Sequence, residues 1–202
     1  MKIISFDEID SNDFDIKNFK AIPRDFAFYD KAYLIDKISP TINYLYWECV
    51  NKDPIVDNSR GIIVVYNGDY LNYSSITRKI NSNLGFFYEC APGICFSYIV
   101  GVKSDKSIDL IDSEEKLKKF IGHIDNIEEL LLTAKINDLW FDVDTIIGGA
   151  YKERKNDYLL YLLEYYSTPV TLKSVKAILK KSGDFKIIDK KIYKQTDEII
   201  VE

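Results

Sequence analysis

The strongest constraint on the fold lies near the C-terminus, where three β-prone segments follow one another: Tyr158 to Tyr166, Leu172 to Lys181 and Phe185 to Lys194. Ser182-Gly183-Asp184 is a turn between the last two, and successive strands on short turns pair antiparallel, so the simplest topology is a β-meander. Alternation puts Tyr158, Leu160, Leu162 and Tyr166 on one face of the first segment, with Leu159, Tyr161, Leu163 and Tyr165 on the other. A strand apolar on both faces is either covered twice or offers a surface to a partner. Lys186, Lys190 and Lys194 recur on one face of the last segment among Ile188 and Ile192, which reads as a lysine-lined edge that discourages edge-to-edge association.

Two helices are expected before the meander. Asp112-Ser113-Glu114-Glu115 and Asn126-Ile127-Glu128-Glu129 each place an acid three residues after a good N-cap residue, the pattern of a capping box. Leu117, Phe120, Ile121 and Ile124 line one helix, which Gly122 ends, and Ile127, Leu130, Leu131 and Ala134 line the other. Nearer the N-terminus, strands are expected over Lys2 to Phe6, Ile42 to Val50, Ile62 to Tyr66 and Phe86 to Cys90, with a hairpin joining Ile94–Val102 to Ile108–Ile111. Pro23 opens a helix that Pro40 stops, Asn67-Gly68 reads as a two-residue hairpin turn, and Ser74 or Ser75 caps a short helix carrying Ile76, Ile80 and Leu84. The fold class is therefore α+β: an antiparallel sheet with a C-terminal β-meander and a pair of capped helices packed on it. One domain spanning 1–202 accommodates this, with residues 104–113 as the candidate sub-boundary.

Catalytic and metal-binding chemistry has few parts to work with. The chain holds one histidine, His123, and three cysteines, Cys49, Cys90 and Cys95, against 28 aromatic residues. Those four groups could supply zinc ligands, but Cys90 and Cys95 are not at the spacing of finger, knuckle or ribbon sites, and no metal or cofactor is expected. Pro92-Gly93 reads as a tight turn between cysteines that act as small hydrophobes. The sharper alternative is a hydrolase or transferase in which Cys95 attacks a carbonyl, His123 is the base and Asp125 orients it. Against it, Cys95 precedes the strand-like Phe96-Ser97-Tyr98-Ile99-Val100, where no helix N-terminus lowers the thiol pKa. Asp142 and Asp144, with Asp138 nearby, could share a hard cation, although a turn before Gly148 is the plainer reading.

Charge is segregated more than its net value of −5 suggests. Residues 105–144 carry 11 acids and 5 bases, whereas residues 151–194 carry 5 acids and 11 bases. Of 27 bases only four are arginine, the side chain favoured for phosphate and base contacts, so nucleic acid is not expected as a partner. No apolar run reaches the length of a membrane span, the N-terminus lacks a signal-peptide pattern, and three cysteines do not make a disulfide framework, which together suggest the cytoplasm. The expected function is non-enzymatic binding of another, basic protein. Glu114, Glu115, Glu128 and Glu129 would steer it and Tyr158, Tyr161 and Tyr165 would form the adhesive centre. In size and acidity the chain is similar to the small immunity proteins with which bacteria neutralise toxins, which implies an inhibitor.

Overall fold

A computed structural model describes residues 15–28, 31–55, 60–90, 93–167 and 169–195, so the strand expected over Lys2 to Phe6 lies outside the described residues. In chain order the elements are β1 (Lys20–Ala21), a 3-10 turn (Arg24–Phe28), α1 (Lys31–Asp36), β2 (Tyr44–Lys52), β3 (Ile62–Gly68), α2 (Tyr70–Thr77), β4 (Phe86–Glu89), β5 (Cys95–Lys103), β6 (Ile108–Ile111), α3 (Glu114–Ile121), α4 (Ile127–Ile136), β7 (Ala150–Glu153), β8 (Asp157–Ser167), β9 (Val170–Lys180) and β10 (Phe185–Gln195). The fold is α+β, with two antiparallel sheets. The chain divides into two compact units, residues 1–29 with 133–202, and residues 30–132, the division falling within α4. Among the described residues no helix is long and apolar enough to cross a membrane.

The first unit is built on the sheet β1-β7-β8-β9-β10, whose last three strands are the expected meander. Strand β8 is covered on both faces, since Tyr158, Leu160, Tyr161, Leu162 and Leu163 are all buried. Phe19 lies against Tyr161 at 5.0 Å between ring centres, and Ile147 packs on the same tyrosine. The lysine row of β10 departs from expectation. Register shifts between Ile187 and Asp189 and between Ile192 and Lys194 pair Lys186 with Ile178, Lys190 with Val175 and Lys194 with Leu172. Because cross-strand partners share a face and Val175 lies on the opposite face of β9 from Ile178 and Leu172, the two bulges turn Lys190 away from Lys186 and Lys194. Lys190 meets Glu164 there, at 2.6 Å.

The second unit is built on the sheet β3-β2-β5-β4, with β6 also pairing with β5. Tyr46, Glu48, Val50 and Lys52 project from one face of β2, and α2 covers that face through Tyr70, whose ring centre is 6.1 Å from that of Tyr46. Trp47 and Cys49 project from the other, where Phe120 of α3 meets Trp47 edge-on at 5.5 Å. Asn67-Gly68 makes no hairpin turn. Gly68 ends β3 at a φ of 94° opposite Tyr46, and Asp69 caps α2 by accepting from the Asn72 amide, so strand passes directly to helix. The helix therefore starts before Ser74 and ends before Ile80. The stretch after Pro23 breaks into the 3-10 turn and α1 rather than one helix. Helix α3 takes Ser113, one residue beyond Asp112, as its N-cap and ends at Gly122, where a φ of 68° and the nearby Thr41 side chain leave no place for a Cβ.

Polar groups are enclosed on both faces of this sheet. Glu48 is fully buried, accepts from the Tyr46 hydroxyl at 2.6 Å and pairs with Arg60, whose Nε donates to the Ile80 carbonyl at 2.8 Å. Burial raises the Tyr46 phenol and Glu48 adds to it; burial and Asp109 raise Tyr44; burial pushes Tyr98 up to about 12. These phenols hold their protons more tightly folded than unfolded. Their contribution is complete below the unfolded phenol value of about pH 10 and is lost as pH climbs from there through the folded values. The denaturant midpoint is expected to fall above about pH 10, with phenolate absorbance from these tyrosines arriving together with unfolding. A gradual, non-cooperative phenolate rise with an unchanged midpoint would contradict this packing.

Candidate functional site

Three of the seven residues expected on an acidic, tyrosine-rich surface, Glu129, Tyr158 and Tyr161, are buried. Glu114 and Glu115 are exposed on the first turn of α3, where Glu115 pairs with Lys119 at 2.7 Å, and Glu128 is half-buried. Glu129 is fully buried instead. Its carboxylate accepts from the backbone amides of Ser39 and Asp125, each at 2.8 Å, while its own amide donates to the Asn126 side chain at 2.8 Å. It is the inner half of a helix cap, which removes it from any steering role. Tyr158 and Tyr161 are 3% and 4% exposed, so of the three tyrosines only Tyr165, at 42%, can touch a partner.

The proposed nucleophile is also spoken for. Cys95 is bonded to Cys90 in a disulfide, so the pair are not two small free hydrophobes and Cys95 carries no thiolate in this state. His123 is largely exposed, 3.4 Å from Asp125, between α3 and α4. Cys49 is buried within β2, and burial pushes its thiol up to about 12, which makes it inert. Iodoacetamide is therefore expected to label no cysteine of the untreated protein and, after reduction, Cys90 and Cys95 but not Cys49, as read by peptide mass mapping. Labelling of Cys95 before reduction would restore the nucleophile. Asp142 and Asp144 lie in a turn, not on a strand, where Asp142 accepts from the Asp144 amide at 2.9 Å and the exposed Asp144 sits 3.6 Å from Arg24.

The exposed apolar surface lies elsewhere, on β3. This strand pairs with β2 along one side only, and among the described residues no strand takes its other side. Ile62 is 72% exposed, Val64 39% and Tyr66 54%, although the run Ile62-Ile63-Val64-Val65-Tyr66 has the composition of a buried strand. Ile63 and Val65 face inward, Ile63 packing on the core formed by Val50, Phe96, Tyr98 and Val100. Beside the strand a shallow groove of about 340 Å³ runs between α1 and β3, lined by Ala32, Tyr33, Asp36, Val64, Val65 and Tyr66.

Strand β10, which ends the sheet of the first unit, is guarded more heavily among the described residues. It carries Lys186, Lys190, Lys191 and Lys194 and is kinked by two bulges, the devices that keep edges apart. Strand β3 has one bulge, near Val64, and neither lysine nor proline along its length. Its apolar composition was the sequence signal, since a strand with no polar alternation has either two covered faces or an exposed one. No protein-family model, curated protein or solved structure matches the chain.

Proposed function

We propose that this protein is a non-enzymatic binding protein whose second unit takes up an extended segment of a partner protein along the free side of β3. One observation carries the reading: a seven-residue terminal strand with Ile62, Val64 and Tyr66 exposed and no lysine or proline guard, in a chain that guards β10 with four lysines. Strand addition supplies main-chain hydrogen bonds to β3, and alternate side chains of the incoming segment bury against Val64, Tyr66 and Tyr33 in the groove. The unit carries 15 acids against 11 bases, which favours a basic partner through encounter rate more than through affinity. As an inhibitor of the immunity type, it would meet a toxin in the cytoplasm of a bacterial cell.

The test is capture from a lysate of the source cells with wild-type protein, Val64→Lys and Ile62→Lys. A charge at either exposed position leaves folding within about 0.5 kcal/mol of wild type. Capture of a stoichiometric protein is expected to weaken at least tenfold, about 1.4 kcal/mol. Equal capture by all three proteins removes β3 from the interface. Light scattering decides the other occupant: wild type is expected to be monomeric, and a dimer abolished by Val64→Lys would make the occupant a second copy of the chain.

A further inference from the structure

Strands β2 and β5 run antiparallel with Lys52 opposite Phe96, so the residue after β2, Asp53, arrives beside the residue before Phe96, Cys95. Cys95 also faces Glu89 at the end of β4, and the hairpin between β4 and β5 returns Cys90 to it. The two sulfurs and a carboxylate oxygen of Asp53 consequently all lie within 4.8 Å of one another. Among the described residues this is the one place where three groups able to ligate a metal converge. We propose that the reduced form of this cluster is a zinc site, with Cys90, Cys95 and Asp53 as ligands and the disulfide as its metal-free state.

The cluster reaches the size of a zinc site once the disulfide opens. Zinc binds thiolate sulfur at about 2.3 Å and carboxylate oxygen at about 2.0–2.2 Å, so tetrahedral ligand atoms stand roughly 3.5–3.8 Å apart: the bonded sulfurs must part to that separation, and Asp53 already lies within 4.8 Å of both. Two thiolates select a borderline-soft ion over magnesium or calcium, and three protein ligands leave the fourth tetrahedral position to water. The cysteines stand five residues apart, outside the short intervals of knuckle and ribbon sites, and it is the hairpin with Cys90 at a φ of 55° that brings them together. Asp53 is held by its own turn, its Oδ1 accepting from the Ile55 amide at 3.0 Å.

Conversion between the two states balances through a cellular low-molecular-weight thiol. Two R–SH molecules give up two electrons and two protons and become R–S–S–R, while the Cys90–Cys95 bond breaks and each sulfur becomes a thiol. Zinc then replaces the two thiol protons, which pass to solvent, and Asp53 enters as a carboxylate. Oxidation reverses the sequence, expelling the ion. Cys49, buried and with its thiol pushed up to about 12, stays outside both reactions.

The test uses the full chain, reduced with dithiothreitol, freed of it anaerobically and titrated with Co²⁺ as the spectroscopic probe for zinc. Reduced protein is expected to develop thiolate-to-cobalt charge-transfer bands and tetrahedral visible bands that saturate at one Co²⁺ per chain and are discharged by Zn²⁺. Unreduced protein is expected to develop neither. Asp53→Asn should weaken Co²⁺ binding by at least tenfold, the lower end of the loss seen when mere outer-shell partners are removed. Asp53→Glu, which keeps a carboxylate, should bind more tightly than Asp53→Asn, and Glu89→Gln should bind as wild type does. Absence of thiolate bands in the reduced protein, the same bands in the oxidised protein, or equal binding by Asp53→Asn and wild type would each overturn the site.

Discussion

Replacing Arg60 by Met is expected to cost about 3–5 kcal/mol of stability, the penalty for breaking a buried ion pair from one side. Glu48 has no exposure at all and the Arg60 side chain retains 12%, so the carboxylate cannot recover water when the guanidinium leaves. The Tyr46 hydroxyl would be the hydrogen bond left to it of the two described, and the Ile80 carbonyl would lose its donor. The pair lies under β3, because Glu48 stands opposite Tyr66 in the register and shares its face. A second change, Glu48→Gln on the Arg60→Met background, removes the stranded charge and should restore part of the loss. Urea unfolding of the two variants measures both. A loss below about 1 kcal/mol for Arg60→Met would place the pair in the range of solvent-screened surface bridges.

Glu129→Ala is the second large effect. It strips a buried, charged acceptor from two part-buried backbone amides, those of Ser39 and Asp125, and a hydrogen bond to a charged group is worth about 1.5–3 kcal/mol. Ser39 and Asp125 are themselves exposed, so water takes over part of the loss and the expected cost is roughly 2–4 kcal/mol, with Glu129→Gln smaller because one amide oxygen remains to accept. Glu115→Ala supplies the contrast, since Glu115 is exposed and meets only Lys119; its loss should stay within about 0.5 kcal/mol. Equal effects at the two positions, read from chemical denaturation, would contradict the cap.

That contrast marks where the sequence stops being informative. Glu115 and Glu129 occupy the same place in two similar tetrapeptides, and both segments do begin helices. What separates them is the chain between Ile38 and Thr41, which the tertiary fold delivers to α4 and not to α3's first turn, as the Ser39 amide on Glu129 records. The meander was legible because its turn residues and apolar strands are local. Its lysine row was not, since two bulges displace the alternation and nothing in Ile187-Ile188-Asp189 announces one.

The sites followed the same division. Cys90 and Cys95 are close enough in sequence to have suggested a turn, yet Asp53 joins them only through the β2–β5 register, a long-range pairing with no sequence signature. The exposure of Ile62 and Val64 is a fact about sheet order. A run of β-branched residues is equally at home in the centre of a sheet, and only the placement of β3 at its end turns that run into a surface. Tyrosine counts pointed to adhesion, but Tyr158 and Tyr161 went into the core, as large side chains on a strand covered twice must.

Amide hydrogen exchange on the captured complex, compared with the free chain, tests strand addition most directly. New protection over Ile62–Gly68, with the amides of Phe185–Gln195 unchanged, is the expected result. Protection confined to α3, α4 or β10, with Ile62–Gly68 exchanging as in the free protein, would contradict binding at this edge.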